Sequence, residues 1–177
     1  ALAAAGPDTL FARDERSVEE IVLELARSQQ LTLGTAESCT GGLVAGRLTE
    51  VPGASDVFRG SIVAYADEIK RNSLGVAEKT LAQHGAVSAE CARELAQGAR
   101  RALGVDVAVA VTGIAGPSGG TAEKPVGLVF FCAAGPDGQL EQELRFSGER
   151  NQVRRFAAVA ALHLLRRLLT QNGHTEL

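Results

Sequence analysis

Apolar residues first recur at helical spacing at Val18, Ile21, Val22 and Leu25, one face of a 3.6-residue repeat. Ser17 and Glu20 open this run as an S-x-x-E capping box, in which each side chain satisfies an orphan helix N–H. A helix is therefore expected from about Ser17 to Gln29. Leu31–Ala36 reads as a short strand, Glu37–Gly42 as a turn, and Leu43–Thr49 as the next helix, broken by Pro52-Gly53. Val57–Tyr65 is strand-like, and Glu68–Leu74 and Ala77–His84 are short helices. Ser88 is a good N-cap for a long Ala-rich helix that reaches Leu103 and ends at Gly104.

The pattern then changes. Val105–Val111, VDVAVAV, is a nearly continuous β-branched and alanine run, which marks a strand buried on both faces. A Gly/Pro/Ser-rich loop, Ile114–Pro125, separates it from a second buried strand, Val126–Ala133. Pro136-Asp137-Gly138 is turn chemistry, and Leu140–Phe146 reads as an edge strand. The last helix spans about Glu149 to Leu169, with Val153, Phe156, Ala160, Leu164 and Leu168 on one face. Helices alternating with strands predict an α/β fold: a three-layer α/β/α sandwich around one mixed, mostly parallel sheet. No internal repeat is visible. Residues 1–12 read as a flexible lead-in and residues 13–172 as a single domain.

Composition narrows the function. The chain has 177 residues, 45% of them apolar but only 4% aromatic, so the core must be built mainly from Ala, Val and Leu. A formal charge of −3 argues against a nucleic-acid partner, which needs a basic surface. A small anionic ligand needs only one or two local cations. No run approaches the ~20 apolar residues of a membrane span. Ala1–Pro7 lacks the charged start of a signal peptide. The sequence contains no Met, which suggests that it starts after a processing site, a tag remnant or a longer upstream part. Cys39, Cys91 and Cys132 are far apart and odd in number, as in a reduced cytoplasmic protein. Neither they nor the scattered His84, His163 and His174 form a metal-ligand pattern.

Three places are richer than a scaffold requires. The first is Ala36-Glu37-Ser38-Cys39-Thr40-Gly41-Gly42, between a strand and a helix. In open α/β sheets ligands sit at the carboxyl ends of strands, and a hydroxyl on this turn points into such a crevice. Gly41 and Gly42 let backbone N–H groups approach a ligand at a helix N-terminus. The plainer role for Ser38 and Thr40 is helix capping. Cys39 is a rival nucleophile, although free Cys is usually a small buried hydrophobe. The turn is not the G-x-S-x-G elbow of α/β hydrolases.

The second place is Tyr65-Ala66-Asp67-Glu68-Ile69-Lys70. A serine attacks poorly unless something takes its proton. No histidine lies in the three segments, so Lys70 in its neutral form is the better base. Burial and Arg71 favour that form, whereas Asp67 and Glu68 oppose it. Tyr65 can relay the proton or donate to a developing oxyanion. The plainer reading is a solvated, charged helix face. The third is Thr112-Gly113-Ile114-Ala115-Gly116-Pro117-Ser118-Gly119-Gly120-Thr121, directly after the most buried strand. Its glycines allow a concave row of N–H donors suited to phosphate or carboxylate. It matches neither the P-loop nor G-x-G-x-x-G, and a plain flexible loop is the alternative.

AESCTGG at Ala36–Gly42, the Tyr65-to-Lys70 segment, HGAVS at His84–Ser88, and AVTGIAGPSGG at Ala110–Gly120 followed by EKPVGLV at Glu123–Val129 occur in one order. Together they resemble the C-terminal domain of the competence/damage-inducible protein CinA. That domain also occurs alone as nicotinamide mononucleotide deamidase. The resemblance covers about Leu10 to Leu169. It implies an amidohydrolase that converts nicotinamide mononucleotide and water to nicotinic acid mononucleotide and ammonia. It also implies a serine nucleophile with a lysine and a tyrosine nearby, here Ser38, Lys70 and Tyr65. Glu37, Thr40, Gly41, Gly42, Thr112, Gly113 and Gly116 then fall in the substrate-binding segments. Gly148-Glu149-Arg150 is similar to the family's Gly-Asp-Arg stretch and makes Arg150 a candidate phosphate contact. The chain departs from the family at Asp67, where an asparagine is expected, and the upstream domain of full CinA proteins is missing.

The expected reaction runs through attack of Ser38 on the carboxamide carbon. Neutral Lys70 takes the proton with Tyr65 assisting, and N–H groups of the Glu37–Gly42 turn hold the oxyanion. It calls for no metal and no organic cofactor. The rival is a non-catalytic nucleotide-binding or regulatory module. A phosphotransferase is weaker, because neither a P-loop lysine nor a magnesium-holding acidic pair is apparent. The Ala-rich helix faces suit self-association as a homodimer or higher homo-oligomer.

Overall fold

The computed structural model describes residues 16–172. The lead-in expected at residues 1–12 lies outside them. The elements run α1 (Val18–Ser28), β1 (Leu33–Glu37), α2 (Leu43–Thr49), a 3₁₀ turn (Ala54–Asp56), β2 (Phe58–Val63), α3 (Asp67–Leu74), α4 (Glu78–His84), α5 (Ala89–Leu103), β3 (Val107–Gly113), β4 (Leu128–Gly135), β5 (Gly138–Arg145) and α6 (Arg150–Asn172). The strands form one sheet in the order β2-β1-β3-β4-β5. β1 pairs in parallel with β2 and β3, whereas β4 runs against both β3 and β5. Every strand except β4 thus points the same way, as a mixed and mostly parallel sheet requires.

Side chains of β3 explain the layering. Val107, Val109 and Val111 face a core shared with α1, α2 and α6, which contributes Val22, Leu23, Leu48, Leu162, Leu165 and Leu169. Ala108 and Ala110 face the opposite core, with Cys91, Ala92, Leu95, Ala96 and Ala99 of α5 and Leu74 of α3. Alternation in a strand sends successive side chains to opposite faces. Valines therefore fill one side, and alanines let α5 lie close on the other. Gly98 of α5 carries this furthest. A Cβ there would sit 2.0 Å from the Leu74 carbonyl oxygen, so the end of α3 rests directly on the α5 backbone.

The expected caps form. Ser17 accepts from the Glu20 amide while Glu20 accepts from the Ser17 amide, and Ser88 accepts from the Cys91 amide at 3.2 Å. Such caps contribute about 1 kcal/mol each. Other expectations need correction. β3 starts at Val107 rather than Val105, because the Val105 amide closes back on the Arg100 carbonyl at 3.0 Å to finish α5. It also runs on through Thr112 and Gly113, carrying them inside the strand. Phe156 is 49% exposed instead of facing the core. The buried arc of α6 passes through Val153, Ala157, Ala161, Leu164 and Leu168, and Phe156 turns aside to lie 6.1 Å from the Phe146 ring. Among the described residues no helix is long and apolar enough to cross a membrane.

Candidate active site

Three parallel strands end together. Glu37 is the last residue of β1 and registers against Val63 of β2 and Val111 of β3. The Ser38 amide extends the ladder by donating to the Val111 carbonyl at 2.9 Å, and the Ala64 amide donates to the Glu37 carbonyl at 2.8 Å. Ser38, Tyr65 and the Thr112-Gly113 pair therefore leave adjacent strands on the same edge of the sheet. A cleft of about 340 Å³ opens there. Its walls include Ser38, Tyr65, Asp67, Lys70, Thr112, Gly113, Gly116 and Arg150.

Lys70 arrives from the first turns of α3 and is 2% exposed. Its Nζ donates to the Tyr65 carbonyl at 2.9 Å and to Asp67 Oδ1 at 3.2 Å. Asp67 is open to solvent, so the lysine is held from both sides of its own loop while only its partner is wet. Arg150, at the start of α6, spans the cleft mouth. One guanidinium nitrogen donates to the Gly116 carbonyl at 2.8 Å and another to the Tyr65 hydroxyl oxygen at 3.0 Å. A phenol whose oxygen already accepts from an arginine has its own proton left to donate. The Tyr65 side chain is 60% exposed and can offer that proton to a bound molecule. Thr112 is buried, and its hydroxyl donates to the Ala86 carbonyl at 2.6 Å. This bond ties the end of β3 to the His84–Ser88 segment, whose Ala86 and Val87 also line the cleft.

Glycines shape the far wall. A Cβ on Gly113 would lie 2.7 Å from the Leu128 carbonyl oxygen, and one on Gly116 would lie 2.5 Å from a Val126 methyl. The loop after β3 folds back tightly on the entry to β4, and no larger residue fits at these positions.

The other predicted binding residues do not reach the cleft. Glu37 is 1% exposed, and its carboxylate is engaged by the start of α2. Oε2 accepts from the Gly42 and Val44 amides at 2.9 and 3.1 Å, and Oε1 accepts from the Ala45 amide at 2.9 Å. The Gly41 amide donates to the Ser38 carbonyl at 3.1 Å. This corrects the expectation that Gly41 and Gly42 present free N–H groups to a ligand, since an internal carboxylate already fills the helix N-terminus. Thr40 is fully buried, and its hydroxyl has no hydrogen-bond partner among the described residues.

Cys39 also lines the cleft, but burial pushes its thiol up to about 11. Burial thus holds Cys39 as the protonated thiol at neutral pH, whereas the thiolate is the reactive form. Arg154 escapes a reading of the sequence alone. Its Nε donates to the Cys39 carbonyl at 3.1 Å and a terminal nitrogen donates to the Thr40 carbonyl at 2.9 Å. The available signal is its place one helical turn after Arg150, at i+4 on the same face.

Known proteins share the sequence and fold of this chain. The model of the CinA C-terminal domain matches residues 15–169. Among curated relatives, the CinA-like protein of Dictyoglomus turgidum is 46% identical over 160 residues, which is 90% of this chain and 39% of that protein. The CinA-like protein of Thermotoga maritima is 44% identical over the same shares. The chain thus spans well under half the length of these relatives. Among solved structures, the competence/damage-inducible protein CihA of Agrobacterium tumefaciens superposes with a TM-score of 0.83 at 41% identity, over 91% of this chain and 100% of that one. A CinA superfamily protein of Klebsiella pneumoniae gives 0.81 at 34% identity, over 88% and 99%. This chain belongs to the CinA C-terminal domain family.

Proposed function

We propose that the cleft hydrolyses the carboxamide of nicotinamide mononucleotide, releasing ammonia and nicotinic acid mononucleotide. The observation that carries the reading is the meeting of Ser38, Lys70, Tyr65 and Arg150 on the walls of one mononucleotide-sized cleft at the carboxyl ends of parallel strands. Ser38 Oγ attacks the carboxamide carbon and Lys70, entering as the amine, takes the proton. Asp67 and the Tyr65 carbonyl keep its nitrogen in place. The Tyr65 hydroxyl donates to the developing oxyanion, where a well-placed donor contributes about 3–4 kcal/mol. Lys70 passes that proton to the departing ammonia, and water, deprotonated in turn by the regenerated amine, then cleaves the Ser38 ester and returns the proton to Ser38 Oγ. Arg150 releases Gly116 and takes the phosphate, for which its planar fork is suited. The buried thiols of Cys39, Cys91 and Cys132 suit a reducing compartment, consistent with a cytoplasmic enzyme.

The test is ammonia release from nicotinamide mononucleotide by the wild-type chain and by Ser38→Ala. A drop in turnover of about a thousandfold or more is expected. Near-normal release from the variant would refute the nucleophile. Tight binding of the mononucleotide by wild type without ammonia would favour a non-catalytic module.

A further inference from the structure

The turn that presents Ser38 is gripped by two oppositely charged side chains, neither of which lines the cleft. From the helix side the Glu37 carboxylate accepts the amides of Gly42, Val44 and Ala45. From the α6 side the Arg154 guanidinium donates to the carbonyls of Cys39 and Thr40, the two residues after Ser38. One group takes the turn's donors and the other its acceptors. Between them, Gly41 adopts a left-handed φ of 61°. A Cβ at Gly41 would lie 3.2 Å from an Arg154 nitrogen, so the glycine leaves the space that the guanidinium occupies.

We infer that Arg154 is a positioning residue for the Ser38 nucleophile, acting through the Cys39 and Thr40 carbonyls as one half of a clamp whose other half is Glu37. Three features favour positioning over substrate contact. Arg154 is absent from the cleft wall, whereas Arg150, one turn earlier on the same helix, is on it. Its hydrogen bonds are to main-chain oxygens in a fork geometry that a lysine cannot reproduce. Both oxygens belong to residues bonded in series to Ser38, so a shift there moves Oγ directly. Carbonyls held by a cation also cannot swing toward the reacting centre, where they would oppose a developing negative charge. Misplacement of a reacting group by about 1 Å can cost about a hundredfold in rate.

The inference rests on the reading of Ser38 as nucleophile but not on the identity of the substrate, and the experiment separates the two. Ammonia release from nicotinamide mononucleotide is measured beside the rate at which a fluorophosphonate probe labels Ser38, forming an Oγ–P bond and expelling fluoride. Arg154→Ala is expected to lower both kcat and the labelling rate by about 10- to 100-fold, with KM changed less than about twofold. Methylguanidinium should restore both rates in that variant, and Arg154→Lys, reaching one carbonyl only, should fall between. If Arg154→Ala does not fold, the Lys variant carries the same comparison. Wild-type labelling in the variants overturns the clamp. A loss confined to KM also overturns it, making Arg154 a substrate contact. If wild type is labelled yet releases no ammonia, the substrate reading fails, and the labelling rates still decide the clamp. A wild-type chain that does neither sinks both.

Discussion

Lys70 Nζ lies 3.2 Å from Asp67 Oδ1, an ion pair three residues apart in which the lysine is buried and the aspartate is open to water. With the Tyr65 carbonyl, Asp67 fixes the nitrogen that the proposal makes the base. Asp67→Asn keeps an oxygen acceptor for Nζ, whereas Asp67→Ala leaves it on the Tyr65 carbonyl alone. Asp67→Ala is expected to lower kcat for ammonia release by about 10- to 100-fold, the cost of a misplaced reacting group, with Asp67→Asn closer to wild type. A fully active Asp67→Ala chain would show that this ion pair does not position Lys70.

Arg150 is the cleft cation whose present partners, the Gly116 carbonyl and the Tyr65 hydroxyl, are neutral. A dianionic phosphate is a better acceptor than either, and a hydrogen bond between charged groups contributes about 1.5–3 kcal/mol. Arg150→Met is therefore expected to raise KM for nicotinamide mononucleotide by about 10- to 100-fold. The nucleoside without phosphate should be turned over as poorly by the variant as by wild type. Equal losses on both compounds would place Arg150 in the chemistry or the fold instead.

Much of this site can be read from local sequence because it follows strand ends. Ser38, Tyr65 and Thr112 stand just past or at the ends of apolar runs, and parallel pairing brings those ends together. Glu37, Gly41 and Gly42 mislead for a physical reason. A glycine-rich helix start attracts anions, and here the anion is the side chain of Glu37, at the end of the preceding strand. Nothing in the spacing distinguishes an internal carboxylate from an external one. Arg154 is invisible for the converse reason, since its partners are carbonyls more than a hundred residues away in the chain. The exposure of Phe156 depends on which stripe of an apolar helix meets the sheet, and α6 has apolar residues around most of its circumference.

The three thiols make stability depend on alkaline pH. Burial pushes Cys39 up to about 11 and Cys91 and Cys132 up to about 12, from an ordinary value of 9.0. For each, the folded state keeps its proton where the unfolded state loses it. The stabilisation is complete below pH 9, declines as pH rises above that, and has gone by about pH 12. At pH 10 each thiol should have cost about 1 kcal/mol relative to pH 8. Urea unfolding at the two pH values measures this. Replacing Cys91 and Cys132 by Ala should lower the baseline but flatten the fall. An equal fall in that variant would assign the alkaline loss to other groups.

Two glycine-to-alanine changes should move stability in opposite directions. At Gly46, in the exposed middle of α2, a Cβ would meet nothing within 4 Å, so Gly46→Ala gains helix propensity without a clash. It is expected to stabilise by up to about 1 kcal/mol. At Gly98 the same methyl would lie 2.0 Å from the Leu74 carbonyl oxygen and 2.8 Å from its carbon, backbone atoms that cannot rotate away. Relief requires α3 to slide off α5, at a cost of about 1–3 kcal/mol, the usual range for overpacking. Because α3 carries Lys70, the slide also disturbs the cleft, and Gly98→Ala should lose turnover beyond what its unfolded fraction explains. Thermal unfolding and ammonia release measured on both variants check the pair. A Gly98→Ala chain as stable and active as wild type would mean that the α3–α5 contact does not hold Lys70 in place.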